Sequence, residues 1–331
     1  MKLLNPLFIS ITAILMYASG IIAQDTISSP NPDGATKVYV AMYLNNISEI
    51  NSASQIIKAD MILSVSWQDP RLKHEGKGYI IAGLDKVWDP TITFTNRLNI
   101  TKSFSEHVSI FGDGTVVSFQ RIYGDFTQNL FYKDFPFDEQ TLQLRLIDMS
   151  ISYDSIEFEI DTAGSGVNKL ISALDWKVEG WNLKKSDFTF EGSSEKVSSL
   201  VFEVKVKREY GYYVLLFIIP LLLIIMMSWM AFWLDSSLSS SQISIATTSM
   251  LTLIAYRFIV TANLPKIAYM TRMDLFIIGS SLLIFFTLLE SIVTSSISAR
   301  GNAVLAQKID KHCRWIFPCL YVLVAVYAFL I

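Results

Sequence analysis

Ser244, Thr248, Leu251, Ala255, Phe258 and Ala262 follow one another at steps of three and four, so on a helix they form a single stripe, with Ile259 at its border. The stripe is hydroxylated at one end and apolar at the other. Such a face can act as the wall of a water-filled passage: the hydroxyls exchange with an ion's hydration shell, and a ring of Leu and Phe closes by dewetting. It can equally be a contact face in a bundle, where Ser and Thr allow helices to approach closely. The stripe alone leaves both open. Other chemistry is harder to build. Cys313 and Cys319 are the only cysteines and the three histidines are scattered, so no metal cluster assembles. There is no nucleophile elbow, phosphate loop or zinc motif. We expect neither an enzyme nor a bound cofactor.

The stripe lies within residues 242–262, long enough to cross a bilayer as a helix of about 20 residues. Ser244, Thr247, Thr248, Ser249, Thr252 and Arg257 nevertheless make it a poor lipid-facing span. Greasier neighbours are at hand. Residues 212–234, 274–297 and 315–331 read as three further spans, the first with Pro220 inside it. Residues 210–331 thus form a membrane domain. Residues 1–23 carry Lys2, an apolar run and a small-residue end, as a cleaved secretory signal does. Residues 24–36 read as a flexible start.

Residues 37–209 alternate with period two. Val38, Val40, Met42 and Leu44 face one way, and so do Leu142, Leu144 and Leu146, and again Leu200, Phe202, Val204 and Val206. With turns such as Asp113-Gly114 between, this predicts an all-β antiparallel, immunoglobulin-like sandwich. An exported sandwich followed by four spans puts both termini outside the cell membrane. The inner link 298–314 then carries Arg300, Lys308, Lys311 and Arg314, as the positive-inside tendency requires. Net charge is −3 without a basic cluster, which argues against nucleic acid as a partner.

Six motifs in order resemble the pentameric ligand-gated ion channels, the Cys-loop receptor superfamily, in its cysteine-free prokaryotic branch. They are Trp67-Gln-Asp69-Pro-Arg71-Leu72; Trp88-Asp-Pro90 with Phe94 and Asn96; Asp113-Gly114-Thr115-Val116 with Arg121; Phe135-Pro136-Phe137-Asp138-Glu-Gln140-Thr141; Pro220; and Leu264-Pro265-Lys266. The family's two loop cysteines would fall at Gln128 and Leu142, so packing is expected to hold that loop. Read without the family, Trp67 and Trp88 are sandwich core, and Asp138 and Arg208 are ordinary solvated charges.

The resemblance implies a homopentamer in membrane lipid, with Ser244, Thr248, Leu251, Ala255, Phe258, Ile259 and Ala262 facing a pore for permeant ions. It implies that Asp138 and Arg208 pair to couple sandwich to membrane, alongside Phe135, Pro136 and Phe137, Asn51 and Gln55, and Pro265, Lys266 and Tyr269. A small agonist would bind between sandwiches, near Thr93, Phe94, Asp148, Met149, Ser150, Tyr153, Phe190 and Glu191, where aromatic faces and carboxylates suit a cation. Protons are the alternative stimulus. A proton-gated relative's acidic sensor corresponds here to Gln55, however, and its pore histidine to Leu253. Ser239-Ser240-Ser241 stands where cation channels carry an acidic ring, the nearest acid is Asp235, and the anion channels' Pro-Ala-Arg mouth is missing. Monovalent cations are the expected permeant ions. The rival from another class is a membrane-anchored binding or sensor protein, which needs only one greasy helix and no hydroxylated one.

Overall fold

The structure is a computed structural model describing residues 28–149, 156–171, 173, 175–192, 194, 196–235, 238–263 and 267–330. The expected signal segment 1–23 therefore lies outside the described residues, as do Ser150, Tyr153, Pro265 and Lys266. For residues 261–263, which include Ala262, only the backbone is described.

Twelve strands form the N-terminal part of the described chain: β1 (Thr36–Asn51), β2 (Ile56–Gln68), β3 (Tyr79–Gly83), β4 (Ile92–Phe94), β5 (Arg97–Lys102), β6 (His107–Phe111), β7 (Thr115–Thr127), β8 (Glu139–Asp148), β9 (Ile156–Ile160), β10 (Gly166–Val167), β11 (Trp176–Thr189) and β12 (Lys196–Arg208). One sheet runs β10-β1-β2-β7-β6-β3, with β5 on β7 and β9 on β1; the other runs β11-β12-β8-β4. Their alternating apolar faces meet in the core, where Trp67 stands edge-on to Trp88 at 5.8 Å. The sandwich is not antiparallel throughout: β9 and β10 run parallel to β1. The chain changes sheets between β8 and β9, so β9 does not return as a hairpin and its direction is free.

The sequence motifs fix local turns. Asp69 accepts two side-chain bonds from Arg71 at 2.9 and 2.8 Å and one from its backbone N–H. Its own N–H donates to the carbonyl of Gly114, whose φ of +86° suits glycine. A Cβ there would meet the Asp69 carbonyl oxygen at 2.5 Å.

Four helices long and apolar enough to span a membrane follow: α1 (Gly211–Trp233), α2 (Ser239–Asn263), α3 (Arg272–Ala299) and α4 (Ala303–Leu330). Pro220 interrupts α1, which takes a π-helical turn over Val214–Ile218. The Tyr256 hydroxyl of α2 donates to the Phe217 carbonyl inside that turn. α4 starts well before the expected 315. Residues 303–314 are amphipathic, not a polar link, and place Ala306 and Asp310 inward while Lys308 and Lys311 face out. Gly301, at φ +88°, makes the break that separates α3 from α4.

Candidate pore and its junction with the sandwich

The buried positions of α2 are Gln242, Ala246, Ser249, Leu253, Tyr256 and Val260. This three-and-four rhythm seats one side of the helix against α1 and α3. At about 100° per residue, Ser244, Thr248, Leu251, Ala255 and Phe258 fall on the opposite side, and all are exposed, as is Ile259. Leu251 and Phe258 are among the most exposed large apolar side chains in the protein. Thr248 donates its hydroxyl to the Ser244 carbonyl and Thr252 donates to Thr248, both at 2.8 Å. Bonds of this kind spend the hydroxyl proton on the helix and leave oxygen lone pairs pointing outward.

The junction is built on Asp138 and Arg208. Arg208 ends β12, where its N–H donates to the Asp138 carbonyl at 3.2 Å. Its guanidinium grips the Asp138 carboxylate with two bonds of 2.7 and 3.2 Å, the side chains being 3% and 2% exposed. Aromatic faces enclose the cation: Trp176 at 4.1 Å, Phe135 at 5.0 Å, Tyr213 at 5.4 Å and Tyr132 at 6.0 Å. Burial works against the guanidinium charge, but the bonds and field of Asp138 outweigh it and hold the pKa above its ordinary value. Burial also pushes the Tyr132 phenol up to about 12, which keeps it neutral.

Around this pair the loop 128–138 reaches into the helices. Phe135 packs on Tyr213, and Phe137 packs on Tyr210 and on Phe329 at the outer end of α4. The Tyr132 N–H donates to the Tyr269 hydroxyl at 2.9 Å. Arg272 at the start of α3 donates its N–H to the Lys133 carbonyl and its Nε to Asp134. Gln140 donates to Asp138 and to the Phe131 carbonyl, both at 2.7 Å. The loop is not held by packing alone. Gln128 donates to the Gln143 carbonyl at 2.6 Å and accepts from the Gln143 N–H at 2.9 Å, which closes the loop beside Leu142. The Gln128 N–H also reaches the Gln55 carbonyl, tying in the β1–β2 turn that Asn51 caps by accepting from Ala53 and Ser54.

The model of the neurotransmitter-gated ion-channel ligand binding domain matches residues 24–210, and that of the neurotransmitter-gated ion-channel transmembrane region matches residues 217–304. The chain belongs to this ion-channel family. It is also similar to a proton-gated ion channel of Gloeobacter violaceus, 28% identical over 318 residues that cover 94% of this chain and 88% of that protein. The family's channels are pentamers embedded in the membrane, with the sandwich outside, and they are not enzymes.

Among the described residues of this ion channel, those expected around an agonist divide between the core and the surface. Phe94 is 4% exposed and packs edge-on against Phe126, so its ring belongs to the core. Asp148 is 7% exposed and accepts from the Ile156 N–H. Thr93 is half-buried on β4, opposite Ile147. Met149, Phe190 and Glu191 are exposed, and Phe190 packs on Phe188, whose ring lies under the Arg145 guanidinium at 5.6 Å. Sequence reasoning missed Trp176, Tyr132, the Asp134–Arg272 pair and the hydrogen bonds by which Gln128 closes the loop. Trp176 stands directly across the ladder from Arg208, a register that no local pattern announces.

Proposed function

We propose that the chain forms a homopentameric channel whose pore is lined by the exposed stripe of α2, with gating driven from the sandwich through the Asp138–Arg208 junction. The observation that carries this reading is the opposition of two stripes on one helix. One is seated on α1 and α3, and the other presents hydroxyls and then Leu251, Ala255 and Phe258 to open space. A polar stripe on a membrane helix needs water or like copies to satisfy it, and a closed ring of copies supplies both. Leu251 and Phe258 form the barrier, because an ion passing them sheds water with nothing to replace it.

Monovalent cations are the permeant ions in this reading. The Thr248 hydroxyl supports it, since its proton is spent on the Ser244 carbonyl and its oxygen offers partial negative charge to whatever passes. Reversal potentials of the reconstituted protein under salt gradients test it; a shift toward the anion potential rejects cation selectivity. A small ligand at the sandwich interface near Met149, Phe190 and Glu191 opens the channel by binding the open state more tightly. Protons are the second reading, favoured by the proton-gated relative. A screen of ligands and outer pH on single-channel currents separates the two. A membrane-anchored sensor predicts no current under any of these conditions.

A further inference from the structure

α3 and α4 bring two acidic side chains together toward the inner end of the helices. Both carboxyl oxygens of Glu290 are closed to solvent, and the one donor beside them is the weak thiol of Cys313. The groups facing Glu290 are the carboxyl of Asp310 and the thiol of Cys313 on α4. Asp310 is 1% exposed; its Oδ2 accepts from Gln242 Nε2 at 3.3 Å, while its Oδ1 has no donor. Gln242, also 1% exposed, enters from the inner turn of the pore helix and shares Nε2 with the Leu234 carbonyl. Its Oε1 is buried and unmatched.

Among the described residues, compensating cations lie elsewhere. Lys308, Lys311 and His312 on α4 are exposed, as is Arg300 at the end of α3. Arg314 donates to the Phe232 carbonyl and lies over Trp233 at 5.1 Å. Tyr212 and Tyr213 of α1, Tyr256 and Arg257 of α2 and Asp274 of α3 stand toward the outer ends of their helices, and Asp235 is exposed on the link before α2. No metal-holding group of three His, Cys, Asp or Glu occurs among the described residues.

Two acceptors facing each other away from water repel unless a hydrogen stands between them, and of two carboxyls sharing one buried site one keeps its proton because the other is charged. We infer that Glu290 and Asp310 form a proton-binding site that holds one proton at neutral pH and, through Gln242, fastens the inner turn of α2 to α3 and α4. Loss of that proton sets two like charges against each other and loosens the turn, so inner pH adjusts gating. The gating half rests on α2 being the pore helix; the proton site does not.

Infrared spectroscopy of the purified full-length protein in lipid tests the site without current. The expected result is a deuterium-sensitive protonated-carboxyl band at neutral pH that is lost in Glu290→Gln and in Asp310→Asn and kept in Cys313→Ser. A band that is absent, or that survives both acid substitutions in folded oligomers, overturns the site. Excised patches test the coupling. Raising inner pH from ~7 to ~9, the range in which buried carboxyls lose their protons, should reversibly change the open probability of the wild type but not of Glu290→Gln, and Gln242→Leu should keep the band while losing the response. An unchanged response in Glu290→Gln or Gln242→Leu overturns the coupling. A wild type that conducts nothing rejects the pore reading and leaves the infrared result to decide the site.

Discussion

Arg208 shows how much one side chain carries at the junction. It is fully charged, buried, gripped by Asp138 and walled by four aromatic rings, so removing either partner strands the other charge. Breaking such a pair costs about 3–5 kcal/mol. Asp138→Asn should lower the unfolding temperature in detergent and depress evoked current in the oligomers that remain. Arg208→Lys should do the same, because an ammonium lacks the planar fork and the stacking face; wild-type gating in it would remove the pair from the coupling path. Gln128 invites a sharper test. Gln128→Ala should loosen the loop, and the pair Gln128→Cys with Leu142→Cys, once oxidised, should restore what that loss takes away. Asp138 and Arg208 were legible in the sequence because a motif and a strand end marked them. Trp176 and the bonds of Gln128 were not, since one depends on strand register and the other on a side chain closing onto a distant backbone.

Among the elements, α2 was legible as a helix with a special face, yet which side would be seated was not. Ser249 is as polar as Ser244, but Ser249 packs inward and donates to the Ile245 carbonyl. The start of α4 was hidden because Lys308, Lys311 and Arg314 read as a polar link when their helical phase was ignored. β9 and β10 escaped for a related reason, as alternation gives faces but not strand direction. α3 and α4 cross closely at Gly279, where an added Cβ would lie 2.5 Å from a Val324 methyl. Gly279→Val should therefore destabilise the bundle by about 1–3 kcal/mol, read as a lower melting temperature in detergent. An unchanged melting temperature would mean that the two helices part freely there.

The whole molecule joins two solvents, and its response to acid depends on where the charges sit. In the sandwich, two bonds from Arg121 at 3.1 and 2.7 Å, and then its charge, hold Asp60 below the usual carboxylate range. Its stabilisation is complete at neutral pH and is lost as pH falls below about 4, through the lowered value. Asp60→Asn should remove that increment, so its melting temperature should converge with the wild type's in acid and fall below it at neutral pH. At the largest scale the family predicts five copies, which native mass measurement in detergent would count. The claim on which the pore reading depends is that the exposed stripe of α2 faces water in that ring. Its most direct test is block by an aqueous thiol reagent applied to Leu251→Cys and Leu253→Cys channels in planar bilayers, with Cys313 and Cys319 replaced by Ser. Block of the Leu251→Cys current, with the Leu253→Cys current untouched, is the predicted result; the reverse pattern, or no block of either, would contradict it.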